Sequence, residues 1–254
     1  MRQILIVQSR PEDAVADAEL EAMVRFGRLD EARIRRVRLD REQPALGSDG
    51  VGSGGVGASV VDLADIDAVL VGGGPANFSD EHGRPPGHAA TVTWLTELAT
   101  RVIRDDVPYL GACLGLGALV HALGDRMVRG IAESVAPVEL SLVGEDWFTD
   151  GLPRAFTAFG GHKEGIAQAP EGATTLAVSA ACVHMIRVGE HVVGTQFHPE
   201  LDAEGLEQRI RVYRDHGYFS PAEVDDLVAA GRAAQVTHPQ TILARFAERY
   251  GLTR

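Results

Sequence analysis

Residues 108–119 read Pro-Tyr-Leu-Gly-Ala-Cys-Leu-Gly-Leu-Gly-Ala-Leu, an apolar strand that passes through Gly-x-Cys-x-Gly straight into a helical segment ending at Leu123-Gly124. This is the pattern of a nucleophile elbow with cysteine at its tip. So tight a strand-to-helix turn strains the backbone at its tip and tolerates little bulk on either side, which Gly111 and Gly115 provide. It sets the Cys113 sulfur at a helix N-terminus, where the partial positive charge favours the thiolate. It also leaves the N–H of Leu114 free to bind an oxyanion. Alone, the five-residue pattern fits a buried apolar cysteine equally well, so its meaning rests on the rest of the chain.

The segments before the elbow alternate between strand and helix. Gln3 to Ser9 is an apolar run of strand length, and Asp13 to Arg28 carries Ala16, Leu20, Met23 and Val24 at helical spacing. Ala32 to Leu39 reads as a more exposed strand and Ile66 to Gly72 as a fully apolar one, with a Gly- and Ser-rich surface loop, Pro44 to Ser59, between them. Gly72-Gly73-Gly74-Pro75 follows that strand directly. Glycines at the carboxyl end of a parallel strand can turn backbone N–H groups toward a ligand crevice, although a tight turn explains them as well. A helix over Ala89–Arg104 precedes the elbow. The order predicts an α/β fold: an open, mostly parallel, doubly wound central sheet with helices on both faces.

After Gly124 the pattern changes to short runs at Val135–Leu142, Phe156–Phe159, Thr175–Val178 and His184–Val188, which predict added strands, some antiparallel, with a hairpin turn at Gly189-Glu190. The run Val192 to Glu200 ends an apolar strand in His198-Pro199-Glu200. A cysteine nucleophile needs a base within reach and a group to orient that base, roles His198 and Glu200 can fill. Pro199 holds His198 in an extended conformation.

Asp202 reads as the cap of a helix to about His216, and Ser220–Glu223 and Thr237–Gln240 read as capping boxes of two more. The expected organisation is one domain over 1–216 with a helical extension, 217–254, packed on it. That extension covers a sheet edge, makes a contact in a homo-oligomer, or simply packs.

Across 254 residues the formal charge is −12, which argues against nucleic-acid binding by bulk electrostatics. No run approaches membrane-spanning length, and the chain opens on a strand without a signal-peptide pattern. Cys113 and Cys182 are expected to be free thiols in a cytoplasmic protein. Of the 24 basic residues only Lys163 is lysine, the usage of a GC-rich bacterial genome. The nine histidines show no clustered ligand spacing, so neither a metal nor another cofactor is expected.

Three segments together resemble the class I, or triad, glutamine amidotransferases: Gly73-Gly74-Pro75 after a strand, Gly111–Gly115 at the elbow, and Gln196–Glu200. The resemblance spans roughly residues 1 to 215 and is closest to free-standing members similar to the glutaminase domain of GMP synthase. It implies a flavodoxin-like fold with Cys113 as nucleophile, His198 as base and acid, Glu200 as orienting carboxylate, and the N–H groups of Gly74 and Leu114 as oxyanion hole. It also implies hydrolysis of the glutamine side-chain amide through a glutamyl thioester, with release of ammonia.

In many members a Gln stands two residues after the second elbow glycine and holds substrate; here that position is Gly117. Gly73, Gly161, His162 and Lys163 fall where the resemblance puts substrate contacts, and His162 and Lys163 are candidates to meet a carboxylate. Cys182 and His184 match nothing catalytic and read as core packing. The chain carries no nucleotide-activating motif of its own. Ammonia therefore goes to a separate synthetase subunit, or the enzyme hydrolyses a γ-glutamyl compound alone; a non-enzymatic binding or regulatory member of the fold is the remaining alternative.

Overall fold

The computed structural model describes residues 2–47, 60–80, 87–215 and 219–254. Its centre is a nine-stranded sheet. Five parallel strands, β1 (Gln3–Gln8), β2 (Ile34–Arg38), β5 (Ile66–Val71), β6 (Tyr109–Ala112) and β11 (Val192–Thr195), lie in the spatial order β2-β1-β5-β6-β11. Four antiparallel strands continue from β11: β10 (Val183–Val188), β9 (Ala173–Val178), β7 (Val128–Leu142) and β8 (Ala155–Gly165). The parallel strands are nearly continuous apolar runs because both faces are covered; Ile4, Leu5, Ile6 and Val7 have no exposed surface.

Helices α1 (Asp13–Gly27) and α6 (His238–Arg249) cover one face, α2 (His88–Arg104) and α3 (Leu114–Ala122) the other. Two shorter helices, α4 (Ala203–Val212) and α5 (Val224–Ala233), pack over Phe159 as a smaller apolar cluster. The expected α/β architecture and the hairpin through Gly189 are both present.

Three expectations change. The strands after the elbow are longer than their apolar runs, β7 and β8 forming a ribbon of 15 and 11 residues. Much of β7 is exposed or half-buried, so packing imposes little apolar alternation on it. Within the expected loop, Ala45–Leu46 (β3) pairs in parallel with Val60–Val61 (β4); residues 48–59 lie outside the described residues.

The third change concerns the C-terminal extension. Ser220 and Glu223 form the expected capping box, but Thr237 makes no side-chain cap bond. Gln240 instead sends its amide to the backbone carbonyl of Leu201 at 2.6 Å. Ile242 and Phe246 of α6 are fully buried with Ile4, Ile6 and Phe197, so this helix is part of the main core.

Candidate active site

Four chain segments leave the carboxyl ends of neighbouring parallel strands and meet in one open cleft: Arg10 after β1, Gly74 after β5, Cys113 and Leu114 after β6, and Gln196 with His198 after β11. Open α/β sheets bind ligands at this end of the strands, where the strand order reverses. Here the reversal falls between β1 and β5.

The elbow has the strained backbone its sequence predicts. Cys113 has φ 50° and ψ −90°, a conformation L-residues avoid, and it caps α3. Its N–H donates to the Thr195 carbonyl at 2.6 Å, which locks the tip to β11. The flanking glycines make room for Tyr109. A Cβ on Gly111 would lie 2.5 Å from that ring and one on Gly115 3.1 Å from its hydroxyl, which itself donates to the Gly115 carbonyl at 2.9 Å.

His198 and Glu200 are buried, with Nδ1 of the imidazole 2.8 Å from Glu200 Oε1. A donor Nδ1–H leaves Nε2 as the free basic nitrogen, the tautomer a thiol base requires. The backbone N–H of His198 is fixed by the Phe159 carbonyl at 3.1 Å. Residues that sequence reasoning missed stand behind this pair. Arg209 Nη2 donates to Glu200 Oε1 at 2.8 Å and to Glu19 Oε1 at 3.1 Å, while Arg10 Nε donates to Glu19 at 2.9 Å. Two buried cations thus balance two buried anions, as low-dielectric surroundings demand. Arg10, Glu19 and Arg209 sit on different elements, so nothing in their spacing announces the network.

Burial pushes the Cys113 thiol up to about 12, with the Glu164 charge adding to it and Arg10 and Arg209 opposing. This direction opposes the thiolate-favouring effect expected of the helix terminus, and its largest cause is enclosure of the half-buried thiol in the cleft. His198 is shifted the other way, below its ordinary value, because burial penalises the imidazolium and this outweighs the attraction of Glu200. Burial alone would raise the Glu200 carboxyl, but His198 and Arg209 together hold it well below the usual range. Both shifts favour a neutral thiol and a neutral imidazole at rest.

Gly73 and Gly74 approach the site too closely for any side chain: a Cβ on Gly73 would overlap the His198 ring, and one on Gly74 would overlap Ser9 Oγ. Gly161 is required by Val135, whose Cγ2 would lie 2.6 Å from a Cβ there. Gly161, His162 and Lys163 line the cleft with Cys113. His162, however, has Nδ1 2.8 Å from the Glu164 carbonyl and Nε2 2.8 Å from Glu133, so its ring is committed away from a substrate carboxylate. Lys163 remains the candidate for that role. Cys182 and His184, read from sequence as packing, instead face Glu133 and His162.

Gly117 faces Phe78, whose Cδ2 would lie 2.6 Å from a Cβ at that position. Phe78 is held there by Glu164, which accepts from the N–H groups of Phe78 and Ser79 at 2.8 and 2.7 Å. Gln196 donates to Cys113 Sγ at 3.6 Å.

A model of the family described as glutamine amidotransferase class-I matches residues 53–212. A glutamine-hydrolyzing GMP synthase subunit of Archaeoglobus fulgidus is 30% identical over 146 residues, 56% of this chain and 70% of the relative. The corresponding subunit of Sulfolobus acidocaldarius is 28% identical, covering 62% of this chain and 78% of its own. A solved structure of a glutamine amidotransferase from Thermotoga maritima superposes with a TM-score of 0.70 at 19% identity over 98% of both chains, a likeness of fold.

Proposed function

The chain belongs to the class-I glutamine amidotransferase family, and we propose that it hydrolyses the side-chain amide of glutamine or of a γ-glutamyl compound, with Cys113, His198 and Glu200 as its catalytic triad. The observation that carries this reading is the imidazole of His198, oriented by Glu200 at 2.8 Å in the cleft that holds the strained Cys113 elbow.

In the proposed reaction the Cys113 proton passes to His198 Nε2 as sulfur attacks the amide carbon. The carbonyl oxygen becomes an oxyanion held by the N–H groups of Gly74 and Leu114, each such donor contributing about 3 kcal/mol of barrier lowering. The buried carboxylate of Glu200 stabilises the imidazolium that forms. His198 returns the proton to the leaving nitrogen, ammonia departs, and a glutamyl thioester remains. Water then attacks with His198 taking its proton, which restores the thiol and frees the acid. Lys163, on the cleft wall, is the group proposed to meet the substrate's amino-acid carboxylate.

The relatives named as subunits of GMP synthase support a partner in the form of a separate, ammonia-accepting synthetase. A second reading, a stand-alone hydrolase of substituted γ-glutamyl amides, rests on Gly117, which stands where many family members carry a substrate-holding Gln. The deciding experiment is ammonia release from glutamine and from a set of γ-glutamyl amides, each compared with Cys113→Ala. Release from glutamine that vanishes in the variant supports the first reading, and turnover of substituted amides only supports the second. No turnover of any substrate, with or without a synthetase partner, rejects both.

A further inference from the structure

Beside the cleft, three segments far apart in sequence aim four ligand-type atoms at one point. Glu133 comes from β7, His162 from β8, Cys182 from the turn before β10, and His184 from β10. His162 Nε2 lies 2.8 Å and His184 Nε2 2.5 Å from Glu133 Oε2, and Cys182 Sγ is 3.9 Å from both that oxygen and His162 Nε2. The backbone is irregular at these positions. The β7–β8 register shifts on both sides of Glu133, and the β9–β10 register shifts around His184. Bulges of this kind re-aim side chains.

The hydrogen bonding of His162 is informative. A backbone carbonyl can only accept, so the 2.8 Å contact with the Glu164 carbonyl requires a proton on Nδ1. In the neutral ring Nε2 is then a bare lone pair facing a carboxylate oxygen. A 2.8 Å contact between that nitrogen and the carboxylate needs either a second ring proton or a metal ion between them, and a metal ion can replace the proton. Nδ1–H donated to a backbone carbonyl, with Nε2 turned to an ion, is also the usual outer support of a metal-bound histidine. The His184 ring is steadied by stacking on Phe197 at an interplanar angle of 11°.

We propose that Glu133, His162, Cys182 and His184 form a zinc site. Two imidazoles, a thiolate and a carboxylate are a zinc-type donor set, and four protein ligands make a closed, structural centre. A zinc-centred tetrahedron sets its nitrogen and oxygen ligands about 3.3 Å apart and sulfur about 3.6 Å from either. The short contacts to Glu133 need to open and the long ones to Cys182 to close, each by less than about 1 Å. The thiol proton of Cys182 and the protons between imidazole and carboxylate leave to solvent as the ion enters.

The site would rivet the β7–β8 ribbon to β10. His162 carries the cleft wall that includes Lys163, and the His184 carbonyl accepts from the backbone N–H of Gln196 at 2.8 Å. The ion thus supports two walls of the cleft without touching the reacting atoms. None of its four ligands takes part in the proposed hydrolysis, so the site stands whether or not that reaction is correct.

The test is metal binding by the full chain after chelator treatment, with zinc and cobalt(II) as probes. One equivalent of zinc should bind with a dissociation constant below micromolar and raise the melting temperature. His184→Ala should weaken binding at least 100-fold. Cobalt should show tetrahedral visible bands and a thiolate-to-cobalt absorption that Cys182→Ser removes and Cys113→Ser retains. Wild-type protein that binds no stoichiometric zinc overturns the proposal, as does a cobalt–thiolate band that follows Cys113 instead of Cys182.

Discussion

Phe78 occupies the space that a side chain at position 117 would need, its Cδ2 falling 2.6 Å from a Cβ built on Gly117. Phe78 is 5% exposed and packs against His121 with ring centroids 5.0 Å apart, so its ring cannot swing aside cheaply. The missing side chain on α3 and the ring on the β5–α2 segment thus share one space in the core.

If so, the two positions are coupled. Gly117→Ala should destabilise the protein by about 1–2 kcal/mol, because overpacking exceeds the roughly 1 kcal/mol that alanine gains over glycine in a helix. Combined with Phe78→Ala, the costs should fail to add by about 1 kcal/mol or more. A double-mutant cycle in urea reads this directly, and strictly additive costs would refute the coupling.

Arg209 should act on the base through charge as well as packing. Removing it leaves Glu19 and Glu200 buried with less compensation, a loss of about 3–5 kcal/mol for a broken buried pair. Because Arg209 also holds the His198 pKa down, Arg209→Gln should move the acid limb of the kcat/KM profile to higher pH. Arg209→Lys should recover part of the stability but not the forked contact to both carboxylates. An unmoved acid limb in Arg209→Gln would show the residue to be structural only.

The pH response follows from the neutral pair. Activity requires neutral His198, whose pKa lies below the ordinary 6.5, so the acid limb should be centred below pH 6.5. The profile should show no Cys113 titration near pH 9, the ordinary thiol value, since the half-buried thiol is pushed up to about 12. Stability should fall as pH drops below 6.5, where the unfolded histidine binds a proton that the native one resists. It should also fall above pH 9, where only the unfolded cysteine ionises. Iodoacetamide should therefore label Cys113 slowly at pH 7, whereas a glutamine-like electrophile labels it rapidly and spares Cys182. Faster iodoacetamide labelling than in the denatured chain would contradict the neutral thiol.

Gly73→Ala should be a kinetic lesion more than a thermodynamic one. A Cβ there overlaps the His198 ring and lies 3.0 Å from Arg10 Nη2, so the imidazole must shift. Misplacing a catalytic group by about 1 Å costs about 100-fold, while overpacking costs about 1–3 kcal/mol. We expect kcat to fall by about that factor with the fold intact by circular dichroism; unchanged kcat would place Gly73 outside the mechanism.

Much of this was legible in the sequence because it is local. The elbow glycines, His198-Pro199-Glu200 and the apolar parallel strands each declare themselves within a short stretch of chain. The Glu133–His162–Cys182–His184 cluster does not, since Glu133, His162 and the Cys182–His184 segment come from three different parts of the antiparallel ribbon and meet only through register and bulges. The charge network behind Glu200 is hidden for the same reason, Arg10 and Tyr213 being 203 positions apart yet joined by a 3.0 Å hydrogen bond. The upward direction of the thiol's shift was not legible, because a helix terminus is visible in sequence and enclosure in the cleft is not.

The bond from Gln240 to Leu201 couples the chemistry to the order of folding. The elbow is a local structure that can form early, but the segment carrying the base is clamped by a helix that docks across a large sequence separation, and such contacts form late. Until they close, the sulfur of Cys113 stands in water at its ordinary acidity, open to oxidants and adventitious electrophiles. Completion of the fold encloses it in the cleft, where access narrows, and brings the base to the same cleft in the same event.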